Sequence, residues 1–417
     1  MAPPRPSGRS PLPALPRFSE HWLLLCGLAL TRIIGWGSTY YAPAVLGNYL
    51  ARDIGLSGEV VFGGITVLLV VGALVAPAIG RHLDSYGTRR SMCAGAVICA
   101  LGLALLSFAQ GPVSYLATWF VIGIGHAMTL ANVGNVTVAQ LTGERTRRII
   151  GLMMLVTGLA SSVFWPLTAA LSAAYGWRTT LLVFAAIQIV IVLPIHLMIP
   201  ARRVRLPAPG QPAATVAEEG RVPPAHRRAT FWLVATAFSA SGVVSWGLPL
   251  HLIGMMQSSG LSQATAVAIA TLNGPATLAA RLVDVVAGER LPVERVALVG
   301  LLLGPLACLL MAVAPGSAPV AIAFSCLFSA AMGVISVARA TLPLSLFGRR
   351  GFATMLGQLT VPQNFAFATA PLLFAVLIER FGVSVTLVIS AIVQLVALVA
   401  MLVLVRRLGA IESSSCP

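Results

Sequence analysis

Long apolar runs separated by short polar breaks set the rhythm of this chain. A helix that crosses a bilayer needs about 20 mostly apolar residues, and such runs lie near 22–47, 58–79, 91–109, 113–139, 148–173 and 178–199. A polar break from Ala201 to Ala229 follows, with six Arg, Glu218, Glu219 and five Pro. Six more runs lie near 230–256, 262–286, 294–314, 318–342, 352–378 and 382–405. The pattern predicts an all-α membrane protein of twelve transmembrane helices in two six-helix halves, residues 21–200 and 230–407, joined by a flexible cytoplasmic linker over 201–229. Residues 1–20 are rich in Pro and Arg, with Glu20 as their only acid, and read as a disordered cytoplasmic tail; residues 408–417 read as a second cytoplasmic tail. The first run is too long for a signal-peptide core and has no small-residue cleavage site, so it reads as a span.

Composition narrows the class. Of 417 residues 58% are hydrophobic and 9% are charged, far below the quarter or so that a water-solvated surface requires. The net charge of +15 comes from 27 basic residues, all Arg. They recur in short clusters between apolar runs instead of gathering on one face, which argues against nucleic acid as a partner. With both termini cytoplasmic, 21 Arg fall on the cytoplasmic side, three on the outer side (Arg52, Arg178, Arg380), and three (Arg32, Arg281, Arg339) inside spans. That asymmetry satisfies the positive-inside rule. A missed span would have inverted the alternation after it. The expected setting is a bacterial inner membrane, crossed many times by a monomer that needs no cofactor. The six cysteines form no C-x-x-C pair and read as small buried hydrophobes, with capture of a soft metal as the alternative.

The halves repeat each other. Gly-Arg-His-Leu-Asp at 80–84 matches Ala-Arg-Leu-Val-Asp at 280–284, Gly55-Leu56-Ser57 matches Gly260-Leu261-Ser262, and Trp36-Gly37 matches Trp246-Gly247, each pair 200 to 210 residues apart. Such duplication marks secondary transporters, whose site lies at the repeat interface near the midplane. Between the second and third runs stands Gly80-Arg81-His82-Leu83-Asp84-Ser85-Tyr86-Gly87-Thr88-Arg89-Arg90. This resembles the loop signature of the major facilitator superfamily, with Ser85 where that family usually has Arg. Gly80 allows close helix approach and Gly87 a tight turn. Asp84 can face a neighbouring helix N-terminus, while Arg89 and Arg90 anchor the inner interface. Gly80, Arg81, Asp84, Gly87, Arg89 and Arg90 are therefore the candidate conformational switch.

Gly35-Trp36-Gly37, Pro166-Leu167 with Gly176-Trp177-Arg178, and Ala280-Arg281 look like the branch of monocarboxylate transporters and oxalate/formate exchangers. That resemblance implies that Arg281 contacts a substrate carboxylate; Thr277 stands where mammalian members place an Asp. The repeat instead pairs Arg281 with Arg81 at the rim, and the residues leave both readings open.

An Arg inside a span costs roughly 2.5–3.5 kcal/mol on insertion scales and needs a reason. Arg32 lies about 15 Å into the first span, and Trp36 and Tyr40 follow at i+4 and i+8 on the same face. A cavity-lining cation is one reading and snorkelling to the cytoplasm the other. Arg339 reads as a snorkelling or interface residue. By the facilitator pattern the first, fourth, seventh and tenth spans line the pore, which adds His126, Asn132, Trp246 and His251 as substrate-binding candidates. Helix–helix hydrogen bonding is the alternative for each. No acid falls at mid-span, so a buried carboxylate relay is not expected. The fifth run has no Gly-Pro-x-x-Gly pattern, which weakens drug/proton antiport. No nucleophile motif, Walker loop or metal cluster supports an enzyme. The expectation is a transporter of a small organic anion, with an exporter of neutral or amphipathic compounds as the alternative and a transport-dead sensor as a remote one.

Overall fold

The structure, a computed structural model, describes residues 22–130, 132–201, 220–287 and 291–414. The N-terminal tail reading, most of the linker and the last three residues lie outside the described residues. Every regular element among those described is helical. Among the described residues ten runs are long and apolar enough to cross a membrane, and two of them are double. Thr146–Leu197 is 52 residues long and reverses at Gly176 (φ 78°, ψ 160°); Phe352–Ile411 is 60 residues long and reverses at Gly382 (φ 76°, ψ 175°). Ten runs, two of them double, make twelve spans.

In chain order these are α1 (22–54), α2 (Gly58–Tyr86), α3 (Thr88–Ser107), α4 (Pro112–Thr142), α5 (146–175) and α6 (177–197). The second half holds α7 (Arg227–Ser258), α8 (263–287), α9 (Val293–Val313), α10 (Ala318–Phe347), α11 (352–381) and α12 (383–414). Two boundaries differ from the sequence reading. Helix α7 starts at Arg227, inside the expected linker, and α12 continues to Ser414 through most of the expected tail.

The repeated tripeptide has a visible purpose. Gly55 and Gly260 take positive φ (68° and 100°) after α1 and α7. Ser57 and Ser262 then cap α2 and α8, accepting from Val60 N at 3.4 Å and Thr265 N at 3.2 Å. Gly176 and Gly382 sit in a backbone region that only glycine occupies at low cost. Adjacent spans therefore reverse there with no intervening loop.

Several helices are irregular at membrane depth, where irregular backbone is tolerated only inside protein or along a cavity. A π segment, Gly37–Tyr41, interrupts α1, and a second, Gln188–Val192, interrupts α6. They touch: Gln188 Nε2 donates to Ser38 Oγ at 3.1 Å. Helix α4 breaks at Leu130, whose backbone is extended (φ −105°, ψ −176°), and resumes at Asn132. Large apolar side chains such as Leu74, Val190 and Leu372 stay exposed on the perimeter, as a surface solvated by lipid requires.

Candidate functional site

The two halves meet along a seam closed on the face that carries the Arg-rich loops. At one edge α2 packs on α11. A Cβ on Gly80 would run into the Ala353 backbone, and one on Gly357 into the Ala76 backbone, so each helix presents a glycine to the other. Asp84 then accepts from the first turn of α11, Oδ1 from Ala353 N at 3.2 Å and Oδ2 from Thr354 N at 2.8 Å. A carboxylate there satisfies two helix-end donors and faces the positive end of the helix dipole. At the opposite edge α5 packs on α8. Arg147 donates to Leu291 O at 2.6 Å and to Asp284 Oδ1 at 3.4 Å.

Asp84 and Asp284 are the repeat-related acids. The duplicated pentapeptide has thus become two clasps, one at each edge of the seam. Gly87 (φ 77°) makes the α2–α3 turn. Arg81 and Arg90 point outward and are exposed, and Arg89 is half-buried. Between the clasps the seam is apolar: Leu24, Leu83, Val136 and Met153 of the first half share one core with Ala340, Phe352 and Leu356 of the second.

Deeper in the seam lies a cluster of cations and rings. Arg32 is ten residues along α1 from Trp22, Met154 eight beyond the start of α5, and Arg339 eight before the end of α10. At 1.5 Å per residue all lie roughly 12–15 Å from the Arg-rich face. Arg32 is buried, 4% exposed, and Nη1 donates to Asn135 Oδ1 at 3.0 Å. Among the described residues its Nε meets no acceptor, and neither does Trp36 Nε1; both atoms are buried.

Arg281 turns into the seam, with Nη1 on Met154 O of the other half at 2.8 Å and Nε on Ser336 Oγ at 3.2 Å. It lies near enough to repel both Arg32 and Arg339 electrostatically. None of the ion pairs among the described residues involves these three guanidinium groups.

A path of rings crosses the seam and ends at one of the cations. His126 meets Trp36 edge-on at 5.0 Å, Trp36 meets Tyr40 at 5.4 Å, and Tyr40 meets Trp246 at 5.4 Å. Trp246 stacks on Phe367 at 5.1 Å, and Arg339 lies over Phe367 at 5.1 Å. The path starts in α4, crosses between halves at Tyr40–Trp246 and ends on a cation in α10. Edge-to-face and stacked rings at these separations attract beyond their burial, and a guanidinium over a ring adds a cation–π contact. His126 Nδ1 is also 3.0 Å from Thr39 Oγ1 in the π segment.

The sequence candidates therefore divide. Arg32, Trp36, Tyr40, His126, Trp246 and Arg281 come together. Asn132 instead donates to Thr360 of α11, a bond between halves, and His251 Nε2 lies 3.0 Å from Pro371 O, in helix packing between α7 and α11. Sequence reasoning missed Phe367, Thr39 and Met154, and placed Arg339 outside the site. Phe367 carried no signal, because nothing in α11 shows which face meets α7.

The Gly176-Trp177-Arg178 turn lies on the far face. Trp177 Nε1 donates to Asp53 Oδ2 at 2.8 Å, and Arg178 sits over the Trp177 ring at 4.2 Å. The indole N–H, with Arg52 as a smaller influence, holds the Asp53 carboxyl below its ordinary pKa. This motif rivets the first half together, away from the cluster. Among the described residues no group of His, Cys, Asp and Glu is arranged to hold a metal.

Two six-helix bundles, clasped on one face around a cluster of cations and rings, make a multi-pass membrane fold. The Major Facilitator Superfamily model matches residues 28–285, more than half of the chain, and the chain belongs to that superfamily. A curated relative, monocarboxylate transporter 13 of Bos taurus, is 26% identical over 310 residues, which is 73% of this chain and 62% of the relative. The chain thus spans less than two thirds of that relative's length. The human organic anion transporter MFSD10 (TETRAN) has a TM-score of 0.68 at 18% identity, covering 91% of this chain and 98% of that one. FucP, the E. coli fucose:proton symporter, solved in the outward conformation, has a TM-score of 0.70 at 16% identity, covering 92% and 98%. At such identities these two structures establish the fold.

Proposed function

We propose that the chain moves a small organic anion, a carboxylate with an apolar or aromatic body, by alternating access across the seam, with both termini cytoplasmic. One observation carries the reading: Arg32 Nε and Trp36 Nε1, four residues apart on α1, are buried donors with no acceptor among the described residues. Leaving buried donors unpaired costs about 1–3 kcal/mol each, more for a charged group. An oxyanion at that place would satisfy both and offset the charge of the nearby guanidiniums. The ring path from His126 to Phe367 supplies an apolar wall for the rest of the solute. The name of the monocarboxylate relative agrees with this chemistry, and the distribution of 21 Arg on one side against three on the other supports the orientation.

Arg281 is the coupling element in this mechanism. In the closed state its Nη1 is taken by Met154 O across the seam. An anion between Arg32 and Arg281 competes for that donor, loosening the α5–α8 edge as it binds. Binding then lowers the cost of opening toward the cytoplasm, and the halves rock about the site.

Thermal unfolding of the purified protein across a panel of anions, cations and neutral solutes tests the proposal. A ligand at 100 times its Kd adds about 2.7 kcal/mol to stability. Carboxylates should stabilise the wild type and leave Arg32→Gln unmoved. Stabilisation by neutral amphipathic solutes alone, equal in both proteins, would replace this reading with the exporter alternative.

A further inference from the structure

A second cation-lined space lies on the Arg-rich face, apart from the midplane cluster. It encloses about 480 Å³ between the halves, and its lining includes Thr146 and Arg147 at the start of α5, Arg221 at the end of the linker, Thr341 and Ser345 of α10, and Arg349. Among the described residues no carboxylate belongs to the lining. Two of the guanidiniums are braced from outside the space. Arg147 is held by Asp284 at 3.4 Å and by Leu291 O at 2.6 Å, and Arg221 by Glu294 at 2.9 Å. Arg147 keeps a buried Nε with no acceptor among the described residues. Arg349 has no carboxylate partner among the described residues, and its guanidinium lies across the seam against Gly143 of the first half. Two braced forks and the exposed guanidinium of Arg349, beside the positive end of α5, suit a tetrahedral oxyanion with several acceptor oxygens. A volume of this size also exceeds a bare ion and fits a small molecule.

We infer that this space binds a phosphate-bearing anion, and that occupancy holds the clasped state. The lining comes from both halves, so rocking the halves apart on this face separates Arg147 from Arg349 and dismantles the site. A ligand that binds one state only shifts the population toward it. The chemistry is shared by the headgroup of an anionic phospholipid and by soluble phosphates. The inference stands independently of the transported solute, because none of these residues belongs to the midplane cluster.

The test uses the full chain, with spin labels or fluorophores on the Arg-rich loops of the two halves. Distances and thermal unfolding are read in three settings: detergent with inorganic phosphate, detergent with chloride at matched ionic strength, and nanodiscs of phosphatidylcholine with or without phosphatidylglycerol. The comparison protein is Arg349→Gln, an exposed position whose loss leaves both clasps intact; Ser345→Ala serves as a second variant. The expected result is a shift toward the clasped state with phosphate or with phosphatidylglycerol but not with chloride, weakened at least tenfold in apparent affinity in Arg349→Gln. A response to phosphate in detergent identifies a soluble ligand. A response confined to phosphatidylglycerol nanodiscs identifies a lipid headgroup. No shift in either setting, or the same shift in Arg349→Gln, overturns the inference.

Discussion

Replacing Asp84 by Asn tests whether the α2–α11 clasp sets the resting state of the seam. The carboxylate takes two backbone N–H groups of α11 at 3.2 and 2.8 Å. Bonds from such donors to an ionised acceptor contribute about 1.5–3 kcal/mol, and the helix dipole adds about 0.3–1 kcal/mol. Asn keeps the shape but has one acceptor oxygen, turns an amide N–H2 toward the second donor, and carries no charge. A loss of about 2 kcal/mol follows, or a factor of about 30 in the ratio of clasped to open states. Starting from equal populations, the clasped state would fall to about 3%.

Spin labels at positions 90 and 350, exposed on either side of the seam, report that ratio as a distance distribution. They are placed in a chain freed of native cysteines. Transport should fall far more than substrate affinity, because the site is built elsewhere and only its exposure changes. An unchanged distribution in Asp84→Asn, or equal losses of transport and affinity, would show that this loop serves the fold and not the switch.

Three other outcomes follow. Arg32→Gln should express normally yet weaken anion binding at least 30-fold, about 2 kcal/mol or more, with Arg32→Lys intermediate by calorimetry; normal transport by the Gln variant would remove the organic-anion reading. Gly176→Ala and Gly382→Ala should each lower stability by about 1–3 kcal/mol in thermal melts, from backbone strain alone because a Cβ at either position meets open space; a negligible shift would mean the reversals are not glycine-dependent. The lowered Asp53 pKa contributes stability above the ordinary carboxylate value of 3.8, lost as pH falls through the folded value. Trp177→Phe should therefore flatten the acid limb of the stability profile, and an unchanged limb would refute the role of the indole.

The spans were legible because each needs only its own apolar run, and the bilayer sets the length of that run. Their interruptions were not. Nothing local in Gly37–Tyr41 separates a π segment from an ordinary turn of helix, and the break at Leu130 lies within a continuous apolar stretch. The Arg32, Trp36 and Tyr40 face was readable from helical spacing alone. The continuation through Trp246 and Phe367 to Arg339 was not, since it depends on how α7, α10 and α11 turn toward the seam. Arg339 illustrates the difficulty: its distance from the helix end suits snorkelling, and only the packed structure reveals the Phe367 ring beneath it.

The two clasps arise from one repeated motif, and their differences matter more than their likeness. At the α2–α11 edge Gly80 brings backbones together, and Asp84 binds main-chain donors of α11, apart from the midplane cluster. At the α5–α8 edge Ala280 replaces that glycine, Asp284 holds a side chain, and the residue after Ala280 turns inward instead of outward. Arg81 ends in water, whereas Arg281 ends on Met154 O beside Arg32. On the proposed mechanism the first edge is a latch of fixed strength. The second carries a charged cross-seam donor that an anion at the midplane can recruit. A transporter with two latches of the first kind, neither touched by the solute, would open with the same probability whether loaded or empty. Divergence at a single repeated position supplies what symmetry alone cannot, a seam whose closure depends on whether the site is filled.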